Sequence, residues 1–267
     1  MPPNQNRYSQ RKRALARLAQ LAESYDHILV IHYSCESFHD RPDGASPRIT
    51  SIAVRNLSTA VTKSFSIHQV AEKQGKLPAN EIKANYDSLE LEMLKEFFDY
   101  LDSNRTSWWV HWNMRDMNYG FPALAHRLTV LGGSPTQIPE ERLFDLGKSM
   151  KDLYGENYAG HPRLTVLRDL NGISDLDFMD GKQEANAFEN DDFYKLHMST
   201  LRKTDVIANI FDLTLNRDLK TEASKRDEYG GYLRYLGALT SEHPIIALAI
   251  VVFGVIAGIA SIVSLFK

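Results

Sequence analysis

Cysteine occurs once in the 267 residues, as Cys35. A lone thiol excludes an internal disulfide and a cysteine-rich zinc site, and the chain is expected to work in a reducing compartment. A surplus of charge is lacking too. Thirty-one basic against 34 acidic residues leave a net −3, so overall field cannot attract nucleic acid and any phosphate contact needs a local basic patch. The N-terminus has no apolar stretch of the secretory-signal kind. Phosphate-binding glycine loops, a His-Glu-x-x-His pair and a Ser/His/Asp signature are all absent.

What the sequence does have is a long uncharged run near its end. Residues 245–266, "IIALAIVVFGVIAGIASIVSLF", carry no charge, and only Lys267 follows. At about 1.5 Å per residue a helix of this length spans a bilayer core of about 30 Å. The expectation is a single-pass C-terminal anchor in residues 245–266. Lys225, Arg226 and Arg234 precede it, which places the globular part in the cytoplasm. Gly254 and Gly258 form a Gly-xxx-Gly spacing that would let two such helices approach closely, giving a homodimer.

The other end is basic. Residues 1–25 read as a helix from about Tyr8 to Ser24, with Leu15, Leu18 and Leu21 on one side and Arg7, Arg11, Lys12, Arg13 and Arg17 around it. Either it packs on the domain with a solvated basic face, or it contacts anionic lipid headgroups or nucleic acid phosphates.

Between these ends, residues 26–220 are expected to form one domain, and 221–244 a linker to the anchor. His27–Tyr33, Arg48–Val54 and Ala60–Ile67 carry strand patterns separated by turn-rich segments, which suggests an antiparallel meander. Leu89, Leu91, Leu94, Phe97, Phe98 and Leu101 recur at helical spacing, predicting a helix over Ser88–Leu101. The strand "SWWVHWN" comes next, then a helix over Phe121–Leu131 that closes at Gly132-Gly133. The later part reads as mainly helical, with helices in "PEERLFDLGKSMKDLYG" and "PRLTVLRDLNG" and then a long helix over Asp191–Leu215. The predicted class is therefore α/β: a mixed sheet of three antiparallel strands plus further strands, flanked by helices.

Three short motifs lie on these elements. The first strand ends in Ser34-Cys35-Glu36, the fourth leads through Asn113 to Asp116 before a helix, and the last helix carries Asp205 ahead of Val206, Ile210 and Leu213. In order and placement they resemble the ribonuclease H-like 3′-to-5′ exonucleases of the DEDD, or DnaQ-like, type. The resemblance implies a ribonuclease H-like sheet and two-metal phosphodiester hydrolysis. Glu36, Asp116 and Asp205 would then hold Mg²⁺ or Mn²⁺, and His197 is the available candidate for the general base. The chain departs from the pattern at Ser34, where the family has an aspartate, because a neutral hydroxyl is a poor ligand for a hard cation. At the base positions it has Thr200 and Leu201, with His197 nearly a turn away.

Other readings stand beside these. Asp116 could simply begin a turn, and a histidine such as His197 is commonly on the surface. Asp40 and Asp43 could substitute as ligands, although "DRPDG" is more simply a turn. Cys35 is a weak nucleophile candidate. Trp108, Trp109 and Trp112 could stack on bases or belong to the core. Two functions follow: a membrane-anchored 3′-to-5′ exonuclease acting on DNA or RNA, with a use in antiviral defence of bacteria, or a catalytically inactive nuclease-fold binding or scaffold protein held at the membrane.

Overall fold

A computed structural model of the chain describes residues 3–36, 46–76 and 78–231, together with positions 235, 237, 248, 252, 255 and 256. Five strands form one mixed sheet: β1 (Ile28–Cys35), β2 (Ile49–Asn56), β3 (Thr62–Ser66), β4 (Trp108–His111) and β5 (Leu143–Asp145). Their order is β3-β2-β1-β4-β5. β2 runs antiparallel to both β1 and β3, whereas β1, β4 and β5 are parallel. The expected meander of three antiparallel strands is therefore present, and the chain leaves β1 toward one side of the sheet and returns to its other side as β4. Ligands of open α/β sheets bind beyond the carboxyl ends of strands where the order reverses in this way.

Ten helices surround the sheet among the described residues: α1 (Pro3–Ala22), α2 (Ile67–Lys73), α3 (Ala79–Ala84), α4 (Tyr86–Ser103), α5 (Phe121–Val130), α6 (Leu146–Tyr154), α7 (Arg163–Leu170), α8 (Gly181–Glu189), α9 (Phe193–Leu215) and α10 (Lys225–Tyr229). Several begin where a short polar side chain satisfies a first-turn amide that has no partner within the helix. Asp145 accepts from Lys148 N, Asp192 from Lys195 N, and Asp180 and Ser224 each close a reciprocal capping box with the third helical residue. Gly230 ends α10 at φ +73°, a left-handed conformation that a side chain disfavours.

Alternation along β1 divides the core. Leu29, Ile31 and Tyr33 face α2, α4 and α5 through Val70, Leu89, Met93, Phe97 and Leu124. Ile28 and Val30 face Leu18 and Leu21 of α1, Met150 and Leu153 of α6, Leu167 of α7 and the apolar stripe Val206, Ile207, Ile210 and Phe211 of α9. Burying such side chains contributes about 1.5–3 kcal/mol each, an upper figure before conformational entropy is charged against it. All four residues of β4 are buried. Trp108, Trp109 and Trp112 are core residues, the second of the two readings given them, and are not placed to stack on bases.

The basic N-terminal helix is part of this body. Leu18 and Leu21 are buried, and Arg7 donates to the carbonyl oxygens of Asp152 (2.5 Å) and Asp227 (3.0 Å). Arg11 lies over the Tyr229 ring, 4.6 Å from its centroid. Two of the five basic residues therefore clamp α1 to α6 and α10, while Lys12, Arg13 and Arg17 stay exposed. α10 sits inside the segment read as linker.

The expected anchor, 245–266, with Gly254 and Gly258, lies largely outside the described residues. Leu248, Val252, Val255 and Ile256 within it are helical and exposed. Among the described residues no helix is long and apolar enough to cross a membrane. The loop holding Asp40 and Asp43 also lies outside them.

On the α4 side a buried ion pair joins three elements. Arg127 of α5 donates through Nε (2.9 Å) and Nη2 (2.6 Å) to the two carboxylate oxygens of Glu90 on α4, and Ile49 N of β2 donates to the same carboxylate at 2.7 Å. Both charged groups are inaccessible, so removing one leaves the other desolvated without its partner. Arg127→Met is expected to lower unfolding stability by about 3–5 kcal/mol. The double variant Arg127→Met/Glu90→Leu should recover a large part of that loss, as read from urea midpoints.

Candidate functional site

α9 crosses β1 and β2 on one face, and its contact with them changes character along its length. Beyond Val30 the inward residues of β1 are His32 and Ser34, and the helix meets them with Thr200, Lys203 and Thr204 instead of aliphatic side chains. Ser34 Oγ is 2.8 Å from Thr200 Oγ1 and 3.3 Å from Glu184 Oε1. Ser199 donates to the same Glu184 oxygen at 2.8 Å, and Lys203 Nζ stands 2.6 Å from Glu184 Oε2. Every one of these five side chains is buried. A low-dielectric site strengthens such bonds and makes an unpaired member costly, so the cluster is closed by pairing a carboxylate with an ammonium inside the fold.

Beside it, the Tyr119 hydroxyl donates to the Tyr33 carbonyl at 3.0 Å and stands 3.0 Å from His32 Nδ1. His32 Nε2 is buried and, among the described residues, has no hydrogen-bond partner. Burial, with a smaller contribution from the Lys203 charge, pushes His32 well below the usual imidazole range, so the ring is neutral.

The residues expected at the site fall as follows. Asp205 forms ion pairs with Arg202 (3.0 Å) and Arg55 (3.5 Å). Arg55 is opposite Val30 in the sheet, six residues back along β1 from Glu36, which at about 3.3 Å per residue is about 20 Å. Glu36 is at the other end of the strand, half-buried, its carboxylate accepting from Arg48 N at 3.4 Å. Asp116 is exposed and accepts from the backbone amides of Asn118 (2.9 Å) and Tyr119 (3.0 Å), so it shapes a tight turn. The alternative reading of Asp116 as a turn residue describes its position. Asp205 and Glu36 are not brought together, which corrects the expectation of one convergent cleft. Among the described residues no group of three or more His, Cys, Asp or Glu side chains is placed to hold a metal ion.

The position of α9 that stands against Ser34 is Thr200. A helical register is read modulo about 100° per residue, and the carboxylate of this helix, five residues on, emerges at a different height and on a flank. His197 is likewise not on the surface: its Nδ1 is 2.7 Å from Ser51 Oγ, its Nε2 3.3 Å from Ser64 Oγ, and its ring 4.8 Å from that of His68. It sits over β2 and β3 in a polar seam continuous with Ser34 and Ser51, paired neighbours in the sheet. Motif reading missed Glu184, Ser199 and Lys203. Only the capping box Asp180-Gly-Lys-Gln183, which announces α8, could have drawn attention to that region.

A second locus lies at the other edge of the sheet. A cleft of about 1020 Å³ wraps around the short edge strand β5, between α1 and α6 on one side and α4 and α5 on the other. His111 lines it from the end of β4, and its Nδ1 accepts from Met114 N at 3.2 Å. Burial pushes this imidazole down to about 4, against the raising influence of Asp145. Asp145 is itself burdened by burial, yet the hydrogen bond from Arg115 and the amide of Lys148 outweigh that and hold its carboxyl below the ordinary range. Asn113, at φ +57°, braces the guanidinium of Arg115 through its side-chain oxygen at 2.7 Å. Gly147 lets the Asn113 side chain lie close against α6, since a Cβ there would fall 2.5 Å from Asn113 Oδ1 and displace it.

Compared with protein-family models, curated proteins and solved structures, the chain matches none.

The buried His197 gives a pH test. Burial, with the neighbouring His68, lowers it to about 4, while the unfolded value is about 6.5. A depressed imidazole favours the fold while neutral, so its contribution is complete above about pH 6.5 and is lost as pH falls from there toward 4. His111 titrates in the same window. Replacing His197 by Gln is expected to reduce the fall in stability between about pH 6.5 and about pH 4.5 by roughly 1–2 kcal/mol. An unchanged slope in urea unfolding would show that His197 does not carry the effect.

Proposed function

We propose that the chain is a catalytically silent relative of the ribonuclease H-like exonucleases, a nuclease-fold binding protein for nucleic acid that is held at a membrane by residues 245–266. The sheet order and strand senses support the fold reading, since an antiparallel β1-β2-β3 unit followed by parallel β4 and β5 is the arrangement the resemblance implies. The single observation that carries silence is the Ser34–Thr200 contact at 2.8 Å, flanked by the Glu184–Lys203 pair. A neutral hydroxyl, Ser34, stands where the resemblance calls for a carboxylate, another, Thr200, stands at a base position, and the Lys203 ammonium lies beside them on Glu184. A hard divalent ion needs charged oxygens and room for waters. Glu36 offers a single carboxylate, too few for such a site.

The exposed basic stripe Lys12, Arg13 and Arg17 supports a polyanionic partner, because α1 carries five basic and no acidic residues in a chain that is net negative. Membrane attachment is supported by 22 uncharged residues in sequence and by the exposure of Leu248, Val252, Val255 and Ile256, side chains that water does not favour. Pairing of anchors through Gly254 and Gly258 is the corresponding proposal for a homodimer.

The full chain in detergent micelles is to be incubated with end-labelled single-stranded DNA and RNA, with Mg²⁺, with Mn²⁺ and with EDTA. The expected result is no metal-dependent shortening, together with salt-sensitive binding that weakens when Lys12, Arg13 and Arg17 are reversed to Glu. Ser34→Asp by itself should restore no cleavage, since Thr200 and Lys203 remain in place. EDTA-sensitive degradation that disappears in both Glu36→Ala and Asp205→Ala would return the chain to the active exonucleases with Mg²⁺ or Mn²⁺ as cofactor.

A further inference from the structure

The cleft around β5 has a chemistry independent of the strand-end motifs, and it shares Arg13 and Arg17 with the basic stripe read above as facing a polyanion. Its walls are apolar where Phe98 and Leu101 of α4, Phe121 of α5 and Ile138 of the following loop face it. Its mouth is cationic. Arg13 and Lys148 are exposed and, among the described residues, belong to no ion pair. Arg17 spends one guanidinium nitrogen on the Leu143 carbonyl at 2.8 Å and lies over the Phe144 ring, 5.6 Å from its centroid, which fixes its head at the β5 edge with its other donors uncommitted.

The acidic side chains of the cleft do not cancel these three. Asp145 is taken up by Arg115 and by the amide that opens α6. Glu140 and Asp152 remain, against three cations. At the inner end stands His111, 3 % exposed, whose Nδ1 is occupied as an acceptor, so the proton resides on Nε2. Among the described residues this Nε2–H donates to nothing. One neutral, fixed donor at the closed end and a few cations at the open end is a polar pattern that orients a ligand whose middle is apolar.

We propose that this cleft binds a small organic phosphate carrying a flat aromatic body. The phosphate would be met by Arg13, Arg17 and Lys148, the ring would lie along Phe121 and Ile138, and His111 would donate to an acceptor on that ring. A phosphate is favoured over a carboxylate because its second charge and third oxygen suit two guanidinium forks and an ammonium together. The volume, about 1020 Å³, stands at the upper end of the roughly 300–1,000 Å³ common for small-molecule sites, and it exceeds what inorganic phosphate would fill.

The test uses the full chain in detergent micelles and AMP as the probe, with adenosine and inorganic phosphate as separate arms, read by titration calorimetry. AMP is expected to bind with a sub-millimolar constant, and adenosine and phosphate each about tenfold or more weaker, since each keeps only one half of the contacts. Arg13→Glu/Lys148→Glu should weaken AMP about tenfold while leaving adenosine unchanged. His111→Phe keeps the volume and removes the donor, and should weaken AMP and adenosine alike. Thermal unfolding of each variant verifies that it is folded, and Lys148→Gln replaces the double variant if it is not. Absence of heat with AMP at millimolar concentration in folded protein, or equal AMP binding by the charge-reversed variant, overturns the proposal. Phosphate binding as tightly as AMP would overturn it too, by leaving the aromatic wall without a role.

Discussion

The seating of α9 on β1 decides what the rest of the molecule can do. Thr200 Oγ1 meets Ser34 Oγ at 2.8 Å, and Thr204 reaches back to the carbonyls of Thr200 (2.9 Å) and Ala53 (3.5 Å). These contacts fix both the height and the rotation of a 23-residue helix. Once they are made, Val206, Ile207, Ile210 and Phe211 face the apolar half of the sheet, Asp205 is turned toward Arg55 and Arg202, and His197 is laid over Ser51. One change in register would expose the aliphatic stripe, and its burial is worth more than the polar contacts beside it.

Within that constraint the polar end of the interface is built from mutual satisfaction rather than from spare ligands. Glu184 takes Ser199, Ser34 and Lys203, so its charge is fully engaged inside the fold. A buried pair of this kind adds little net stability against a well-packed apolar alternative, but it penalises any arrangement that separates its members. It therefore fixes α8 against α9. The polar groups of this interface are thus engaged with one another rather than left as ligands. A cleft of about 1020 Å³ opens at β5, where the strand is too short to seal the edge.

The basic helix links these regions to the tail. Arg7 and Arg11 are spent on α6 and α10, which ties α10 to the body of the fold. Arg13 and Arg17 are directed to the cleft instead. One short run of arginines thus divides into an internal clamp and an external face, and only the packing of Leu18 and Leu21 says which residue does which.

The amino-acid order determined a good deal by itself. The strands ending near Tyr33, Val54 and Ile67, the helix around Leu89–Leu101, the helix from Phe121 and the long helix to Leu215 all follow from local periodicity, because a side chain's face on one element depends only on its spacing along it. Strand β5 escaped, since "LFD" between helical residues is too short to show alternation, and α2, α3 and α8 are too short for a helical repeat. The composition also dictated the absence of disulfides and the uncharged run near the end. The site was another matter. That Asp205 pairs with Arg55 and Arg202, that Thr200 meets Ser34, that His197 is buried and that Lys203 meets Glu184 were decided only by tertiary packing. Each depends on the rotation and height of one helix against a strand more than 150 residues away in sequence, and that geometry is set by the fit of two buried surfaces, which no local pattern encodes.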